Sequence, residues 1–237
     1  MYRGLEITPP FFAVGPKAYI YGEDLLRLAQ HADKISQRYN VPIIFTPQTV
    51  DIPLLARQTE QILVFAQHMD TLYPGRGVGS VLPEALKAAG ARGVMLNHAE
   101  KSLSLAEIER AIQRADEVGL ASMVCAGTLD EAAAIARMGP NIILAESPAL
   151  IGTGKREAED QLAIPKINEL VWSINPEIRV LHGAGVGNGQ DVYDIIMAGA
   201  QAAGSSSGIL LAADPRQMLE EMVEATRRAW DQRSAHR

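Results

Sequence analysis

Eight short apolar runs alternate with stretches of helical periodicity along the chain, and this alternation constrains the fold more than any other feature. The runs occupy residues 11–14, 41–46, 62–66, 93–97, 120–125, 141–146, 178–182 and 200–206, and the last is the weakest. Most are continuously apolar, which is typical of parallel strands buried on both faces. Six or fewer strands would favour an open doubly wound sheet, whereas eight strand–helix units predict a closed (β/α)8 barrel of the α/β class.

The helical stretches between the runs have recognisable ends. Predicted helices cover residues 21–38, 52–61, 82–89, 104–118, 128–138, 190–197 and 215–230, with another inside 157–173. Ser104 with Glu107, and Thr128 with Glu131, have the spacing of capping boxes. About thirty residues are available to each unit, as in a small barrel. We therefore expect one barrel domain over residues 1–237, with the last residues as a solvated tail.

Composition and charge exclude several classes of protein. Hydrophobic residues make up 47% and charged residues 21%, which excludes global disorder. The formal net charge of −6 predicts no nucleic-acid partner, although a local cationic pocket for a small anion is compatible with it. No apolar run is long enough to span a membrane, and the single cysteine, Cys125, permits no intramolecular disulfide. We expect a cytoplasmic protein with no membrane partner.

Polar side chains and small residues follow the predicted strands, at the end where (β/α)8 barrels carry out their chemistry. Lys17 follows the first run, His98 follows the fourth, and Glu146 ends the sixth. Gly/Ser-rich segments follow the seventh and eighth runs, at residues 183–187 and 205–208. A carboxylate and an imidazole suit proton transfer beside a carbonyl, and loops of small residues present backbone amides to an anion. No cluster of ligand residues or dinucleotide fingerprint is evident, so we expect neither a metal nor a cofactor.

Three motifs together resemble those of triosephosphate isomerase: NHAE at 97–100, ESPALIGTG at 146–154 and HGAGVGNG at 182–189. The segments FAQH at 65–68 and VLPEALKAAG at 81–90 resemble the short archaeal-type branch of that family. The resemblance extends over about residues 12–219. It implies a TIM barrel and an aldose–ketose isomerase of glycolysis and gluconeogenesis. The default substrates are glyceraldehyde 3-phosphate and dihydroxyacetone phosphate.

The resemblance also implies a role for each matching position. Glu146 would be the base that moves a proton through an enediol, His98 the neutral electrophile that polarises the carbonyl, and Lys17 a substrate-binding lysine. Asn97 and Glu100 would be supporting residues. Substrate and phosphate would be bound at Gly15, Gly152, Gly183, Gly185, Ser207 and Gly208, beneath a lid formed by residues 151–154. The loop at 74–80 matches one that contacts a neighbouring subunit in the family, which implies a homodimer or a homotetramer.

Three positions depart from the family pattern. Gly15 stands where the family pairs its lysine with an asparagine, Val78 replaces a threonine in the interlocking loop, and Ala99 replaces a serine after the histidine. The missing asparagine amide would have lain beside the reacting oxygens, where losing one donor typically costs about 10²- to 10³-fold in rate. Two alternatives follow. Gly15 would leave room for a four-carbon ketose phosphate, or the chain would be a catalytically weak paralogue that binds a phosphorylated metabolite.

Four further polar residues at strand ends are expected to be structural. His68 and His182 would be structural histidines, and Gln48 and Gln67 would belong to hydrogen-bond networks. Cys125, inside an apolar run, is expected to be a packed thiol with no nucleophilic role.

Overall fold

A closed barrel of eight parallel strands forms the centre of the protein, in a computed structural model that describes residues 1–146 and 158–235. Each strand pairs with the next, and β8 pairs with β1. The strands are β1 Phe11–Val14, β2 Ile43–Phe45, β3 Leu63–Ala66, β4 Gly93–Leu96, β5 Ala121–Ala126, β6 Ile142–Ala145, β7 Arg179–His182 and β8 Ala202–Ser205. Only β5 extends past its predicted run, by one residue. The predicted (β/α)8 barrel is confirmed.

Helices surround the barrel in the predicted order. They are α1 Gly22–Tyr39, α2 Ile52–Gln58, α3 Pro83–Ala88, α4 Leu105–Val118, α5 Leu129–Met138, α6 Ala158–Ile174, α7 Gly189–Met197, α8 Ser207–Leu210 and α9 Pro215–Ala235. Short 3-10 turns occupy Thr49–Asp51 and Ala99–Lys101. In the part of the chain that is described, no helix is both long and apolar enough to cross a membrane.

Three helices differ from prediction by more than one residue at an end, for identifiable reasons. Helix α2 ends three residues early because Asp33 Oδ1 accepts hydrogen bonds from the amides of residues 60, 61 and 62. Helix α9 continues to Ala235, where a solvated tail was expected, and the Arg233 guanidinium donates to the carbonyl of Ala200 at 2.9 Å. Helix α8 was not predicted, because its four residues are too few to show a helical period.

The strand side chains divide between two apolar layers. On β1, Phe11 and Ala13 point into the barrel, whereas Phe12 and Val14 pack against the helices. Cys125 belongs to the inner layer and is only 5% exposed, as predicted for a packed thiol, and burial raises its pKa well above the ordinary value. Both faces of the sheet are therefore buried, which explains why the strands are continuously apolar in sequence.

The amino-terminal segment packs beneath the barrel. Ile7 is buried with the inner layer, and Tyr2 and Leu5 pack against it. Two hydrogen bonds attach the segment: Asn141 Nδ2 donates to the Tyr2 carbonyl at 2.7 Å, and Arg179 Nε donates to the Ile7 carbonyl at 3.2 Å. This packing covers the amino ends of the strands, so polar chemistry is confined to the carboxyl ends.

Candidate active site

A cavity at the carboxyl ends of the strands brings together most of the residues singled out from the sequence. Its floor is apolar and is formed by inward-pointing side chains such as Met123 and Leu144. Its walls include the predicted site residues Gly15, Lys17, His98, Glu146, Gly185 and Ser207, which come from five different strand ends. The barrel thus assembles one site from distant parts of the chain.

Glu146 and His98 face each other in this cavity. His98 Nε2 lies 3.8 Å from Glu146 Oε2, and the two side chains are only 11% and 16% exposed. The Glu146 amide donates to the Ala126 carbonyl at 3.0 Å, which fixes the backbone as it leaves β6. Glu146 Oε1 lies against Gly183, where an added Cβ would overlap the carboxylate. Gly183 is therefore required for the carboxylate to take this position.

The turn after β4 determines the protonation of His98. Nδ1 accepts a hydrogen bond from the Glu100 amide at 3.1 Å, so the proton of the neutral ring lies on Nε2. Burial and the positive charge of Lys17 lower the pKa of His98, and Glu100 opposes them only in part. The ring is therefore neutral at pH 7 and presents an Nε2–H donor toward Glu146.

Asn97 holds this turn in an unusual backbone conformation. Its φ of 58° lies in the left-handed region. The amide Nδ2 donates to the Cys125 carbonyl at 3.0 Å and to Glu131 Oε1 at 2.8 Å, while Oδ1 accepts from the Leu103 amide at 2.9 Å. These bonds connect Asn97, the residue before His98, to β5 and to the start of α5. Together they stabilise its left-handed backbone conformation.

Glu131 is a supporting residue that the sequence did not reveal. The capping box at Ser104 is confirmed, with both of its hydrogen bonds present. At Thr128 the predicted box is wrong: Thr128 Oγ1 accepts from the Glu131 amide at 3.1 Å, but the Glu131 carboxylate turns to Asn97 and to the Gly127 amide. The spacing of Thr128 and Glu131 was the available signal. It predicted the start of the helix correctly, but it gave no indication that the Glu131 carboxylate would bond to Asn97.

Lys17 is fixed through its backbone as well as its side chain. Its φ is 49°, and its carbonyl accepts hydrogen bonds from Gln48 Nε2 at 2.9 Å and Gln67 Nε2 at 3.0 Å. The network role predicted for both glutamines is confirmed. Lys17 Nζ contacts Glu100 Oε1 at 2.5 Å, and this bond lowers the pKa of the Glu100 carboxyl. The pair links the ends of β1 and β4 across the cavity.

The Gly/Ser-rich segments after β7 and β8 meet at one edge of the cavity. Ala184 and Gly185 both have left-handed backbone, with φ of 60° and 67°. Gly208 lies so close to the Val186 carbonyl that an added Cβ would overlap it. In α8 the amides of residues 209 and 210 donate to the carbonyl of residue 206, so the amides of Ser207 and Gly208 precede that ladder. Amides placed this way can bind a small anion.

Gly15 does not leave the empty volume that the sequence suggested. A Cβ at Gly15 would lie 2.7 Å from Ser206 Oγ and 3.7 Å from Thr46 Oγ1. The space beside Gly15 is therefore already occupied by the Ser206 side chain. This geometry gives no support to a four-carbon substrate.

The remaining predictions fall outside the cavity or outside the described residues. Gly152 and the expected lid at 151–154 belong to residues 147–157, which are not described. His182 Nε2 lies 2.9 Å from Asn168 Oδ1 and His68 Nε2 lies 3.3 Å from Asp70 Oδ1, as expected of structural histidines. Within residues 1–146 and 158–235, no group of three or more His, Cys, Asp or Glu could hold a metal ion.

Comparison with known proteins decides the family. Residues 10–222 match the family model for triosephosphate isomerase. The chain belongs to the triosephosphate isomerase family. The triosephosphate isomerase of Methanobacterium bryantii is 38% identical over 220 residues, covering 90% of this chain and 96% of that protein. The enzyme of Sulfurisphaera tokodaii is 34% identical over 231 residues, covering 96% and 100%. The resemblance inferred from the motifs is confirmed, and nothing in these relatives supports a four-carbon substrate.

A solved member of the triosephosphate isomerase family supports the fold. The crystal structure of triosephosphate isomerase from Bartonella henselae superposes with a TM-score of 0.76. The superposition covers 92% of this chain and 98% of the Bartonella chain, and the two sequences are 19% identical. At this identity the likeness shows the barrel fold, and the archaeal relatives carry the family assignment.

Proposed function

We propose that this protein interconverts glyceraldehyde 3-phosphate and dihydroxyacetone phosphate as an aldose–ketose isomerase. The observation that carries the proposal is the pairing of Glu146 Oε2 with His98 Nε2 at 3.8 Å in a cavity that Lys17 also lines. An intramolecular redox reaction of this kind needs only proton transfers and polarisation of a carbonyl. The carboxylate, the imidazole and the lysine of the cavity can carry out these steps, so the reaction requires no bound cofactor.

In the proposed mechanism, Glu146 removes a proton from the carbon next to the carbonyl and returns it to the neighbouring carbon. His98 donates its Nε2 proton to the carbonyl oxygen and takes back the proton of the neighbouring hydroxyl, which becomes the new carbonyl, while Lys17 stabilises the negative charge that develops on these oxygens. Because burial and Lys17 lower the pKa of His98, the ring acts as a neutral donor. Gly183 leaves the space in which the carboxylate lies.

The phosphate of the substrate would be bound by the segments after β7 and β8. Gly185, Ser207 and Gly208 supply closely spaced backbone amides at one edge of the cavity. By the family resemblance, Gly152 would also bind the phosphate, and residues 151–154 would act as a lid that excludes water during proton transfer. Asn97 and Glu100 would position the imidazole and the lysine through their hydrogen bonds.

The proposal is tested by assaying purified protein in both directions of the triose phosphate reaction. The protein should come from a host that lacks its own isomerase, and Glu146→Gln is the matched variant, because it keeps the side chain's shape and removes the base. We expect turnover by the wild type and a loss of about 10²- to 10⁴-fold in kcat for the variant. Binding of 2-phosphoglycolate without turnover by the wild type would contradict the proposal and favour a non-catalytic paralogue.

We also propose that the protein is a homodimer or homotetramer of single barrel domains, each spanning residues 1–237, in the cytoplasm. The loop at 74–80 supports an oligomer, because Val78 is fully exposed at its tip. Arg114 anchors the preceding residues: it stacks on the Tyr73 ring at 4.0 Å and donates to the Leu72 carbonyl at 3.3 Å. Light scattering after gel filtration measures the state, and Val78→Glu should shift it toward monomer.

A further inference from the structure

We propose that the Ser206 hydroxyl is a substrate-binding hydrogen-bond donor that replaces the side chain missing at Gly15. The inference rests on the proposed isomerase function and concerns how this chain carries it out without the family's asparagine. Ser206 and Gly15 both line the cavity that contains Lys17, His98 and Glu146.

The barrel closure places these two residues side by side. Strands β8 and β1 are neighbours, with Ser205 paired to Val14, and the Gly15 amide donates to the Ser205 carbonyl at 3.2 Å. Each of the two residues is therefore the first position beyond its strand, at the same level of the rim. Ser206 Oγ then lies 2.7 Å from the point that a Cβ of residue 15 would occupy.

A side chain at residue 15 and the hydroxyl in its present position exclude each other. A Cβ–oxygen separation below 3.0 Å essentially never occurs in proteins, so one group would have to move. Thr46 Oγ1, on the other side of Gly15, is already engaged, since it donates to the Val14 carbonyl at 3.4 Å. The glycine thus creates the space into which Ser206 Oγ extends, close to where an asparagine side chain would begin.

The Ser206 side chain is not used for a common structural purpose of a serine at this position. Ser206 is the N-cap residue of α8, where a serine usually accepts a hydrogen bond from an amide of the first turn. Here the side chain makes no capping bond. The backbone φ of −121° and ψ of −85° also differ from the extended conformation that is usual for an N-cap residue. Within the part of the chain that is described, Ser206 Oγ has no hydrogen-bond partner, and the residue is only partly buried against the cavity.

An unengaged hydroxyl on this wall can serve the substrate directly. A serine O–H donates one hydrogen bond and rotates freely to aim it. On the β1–β8 side it lies on the same wall as Lys17, so its natural acceptor is an oxygen of the reacting end of the substrate. The same hydroxyl oxygen also accepts, so it can contact either a carbonyl or a hydroxyl oxygen.

A double-mutant cycle tests the pair. Ser206→Ala should lower kcat/KM for the triose phosphates by about 10²-fold, as expected for loss of one oriented donor. Gly15→Asn alone should also lose activity, because its Cβ displaces the Ser206 hydroxyl from its present position. The double variant Gly15→Asn with Ser206→Ala should recover activity above Ser206→Ala alone, because the collision is relieved and an amide donor is restored.

Controls separate this inference from a structural role and from the function itself. Ser206→Gly, a second removal of the hydroxyl, should match Ser206→Ala, and Ser173→Ala on the exposed face of α6 should leave activity and Tm unchanged. Wild-type turnover with Ser206→Ala within twofold of it, or losses that simply multiply in the double variant, would overturn the inference and leave the isomerase function standing. Absence of wild-type turnover would instead overturn the function. In that case the affinity for 2-phosphoglycolate would test the role of Ser206. Equal affinity in Ser206→Ala and the wild type would contradict that role.

Discussion

The two sides of the cavity are built in different ways. On the β4–β6 side, the Glu100 amide donates to the His98 ring, the Glu146 main-chain amide donates to the Ala126 carbonyl, and the Asn97 side chain makes three hydrogen bonds. On the β1–β8 side, the wall consists of Gly15 and Ser206 in close approach, with no side chain at residue 15.

This difference suggests that, in the proposed mechanism, the β4–β6 side carries out proton transfer and the β1–β8 side binds and orients the substrate. In the proposed mechanism, proton transfer needs one carboxylate and one imidazole, and the β4–β6 side keeps the family's histidine and glutamate, although Ala99 stands there in place of a serine. A hydrogen bond to a substrate oxygen can come from any strand end that reaches it. The β1–β8 side can therefore exchange an asparagine on one strand for a hydroxyl on the next, provided that the neighbouring residue is glycine.

After the loss of the base in Glu146→Gln, the largest expected effect comes from removing His98 on the β4–β6 side. His98→Gln removes the donor to the carbonyl and should lower kcat by about 10²- to 10³-fold. Steady-state kinetics at saturating substrate measures the loss, and unchanged 2-phosphoglycolate affinity would show that the site remains folded. A variant that loses less than tenfold would mean that the imidazole is not the principal electrophile.

The pH dependence of the wild type's stability tests whether the buried His98 ring is neutral. Because the pKa of His98 is lowered in the folded protein, the unfolded chain binds the extra proton first as the pH falls through about 6.5. The contribution of His98 to stability is therefore complete above that pH and is lost progressively below it. Thermal unfolding between pH 7.5 and 5 should show a steeper loss for the wild type than for His98→Gln, and equal slopes would contradict a neutral buried ring.

Gly183→Ala should perturb the position of the base without removing any functional group. The new Cβ would overlap Glu146 Oε1, and a displacement of about 1 Å in a reacting group can cost about 10²-fold in rate. Gly139→Ala is the matched control: its φ of 70° strains an alanine, but a Cβ there meets only Asn175 Nδ2, at 3.9 Å. We expect the control to lose stability and keep its kcat. Equal kcat for both variants would contradict the geometry given for Glu146.

Gln67→Leu should weaken the β1 side moderately. It removes Gln67 Nε2, which donates to the Lys17 carbonyl at 3.0 Å and to the Thr46 carbonyl at 2.8 Å. Each lost bond is worth about 1 kcal/mol, so we expect about a fivefold fall in kcat/KM as the Lys17 carbonyl keeps only its bond from Gln48 Nε2, at 2.9 Å. Gln61→Leu, on an exposed side chain, controls for the substitution itself. A fall in Tm with unchanged kcat/KM would restrict Gln67 to a purely structural role.

The barrel could be predicted from the sequence because its signals are local. Each strand is a short apolar run, and helices α4 and α5 end at Gly119 and Gly139, which have φ of 76° and 70°. The residues of the β4–β6 side could also be predicted, since each follows an apolar strand within a recognisable motif. Their placement in one cavity follows from the rule that parallel strands share a carboxyl end.

The features that could not be predicted depend on contacts between distant segments. Gly15 and Ser206 lie near opposite ends of the chain and meet only because β8 closes against β1. From the sequence, Gly15 indicated a vacancy, whereas the structure shows that space already filled. Glu131 likewise fits a capping box by spacing, but the tertiary contact with Asn97 competes for its carboxylate. Local patterns predict which groups are present, and packing decides how each is used.

The smallest expected effect distinguishes two helix caps that look alike in sequence. Ser104→Ala and Thr128→Ala each remove one N-cap hydrogen bond, so both should lose about 1 kcal/mol of stability, a fall of about 2–4 °C in Tm for a chain of this size. Their activities should differ. The Ser104 cap serves α4 alone, whereas the Thr128 cap holds the turn whose Glu131 carboxylate bonds Asn97, one residue before His98. We therefore expect unchanged kcat for Ser104→Ala and about a twofold fall for Thr128→Ala, the size of a fraction of one hydrogen bond. Identical kcat values would show that the support of the β4–β6 side ends at Asn97 and does not extend into α5.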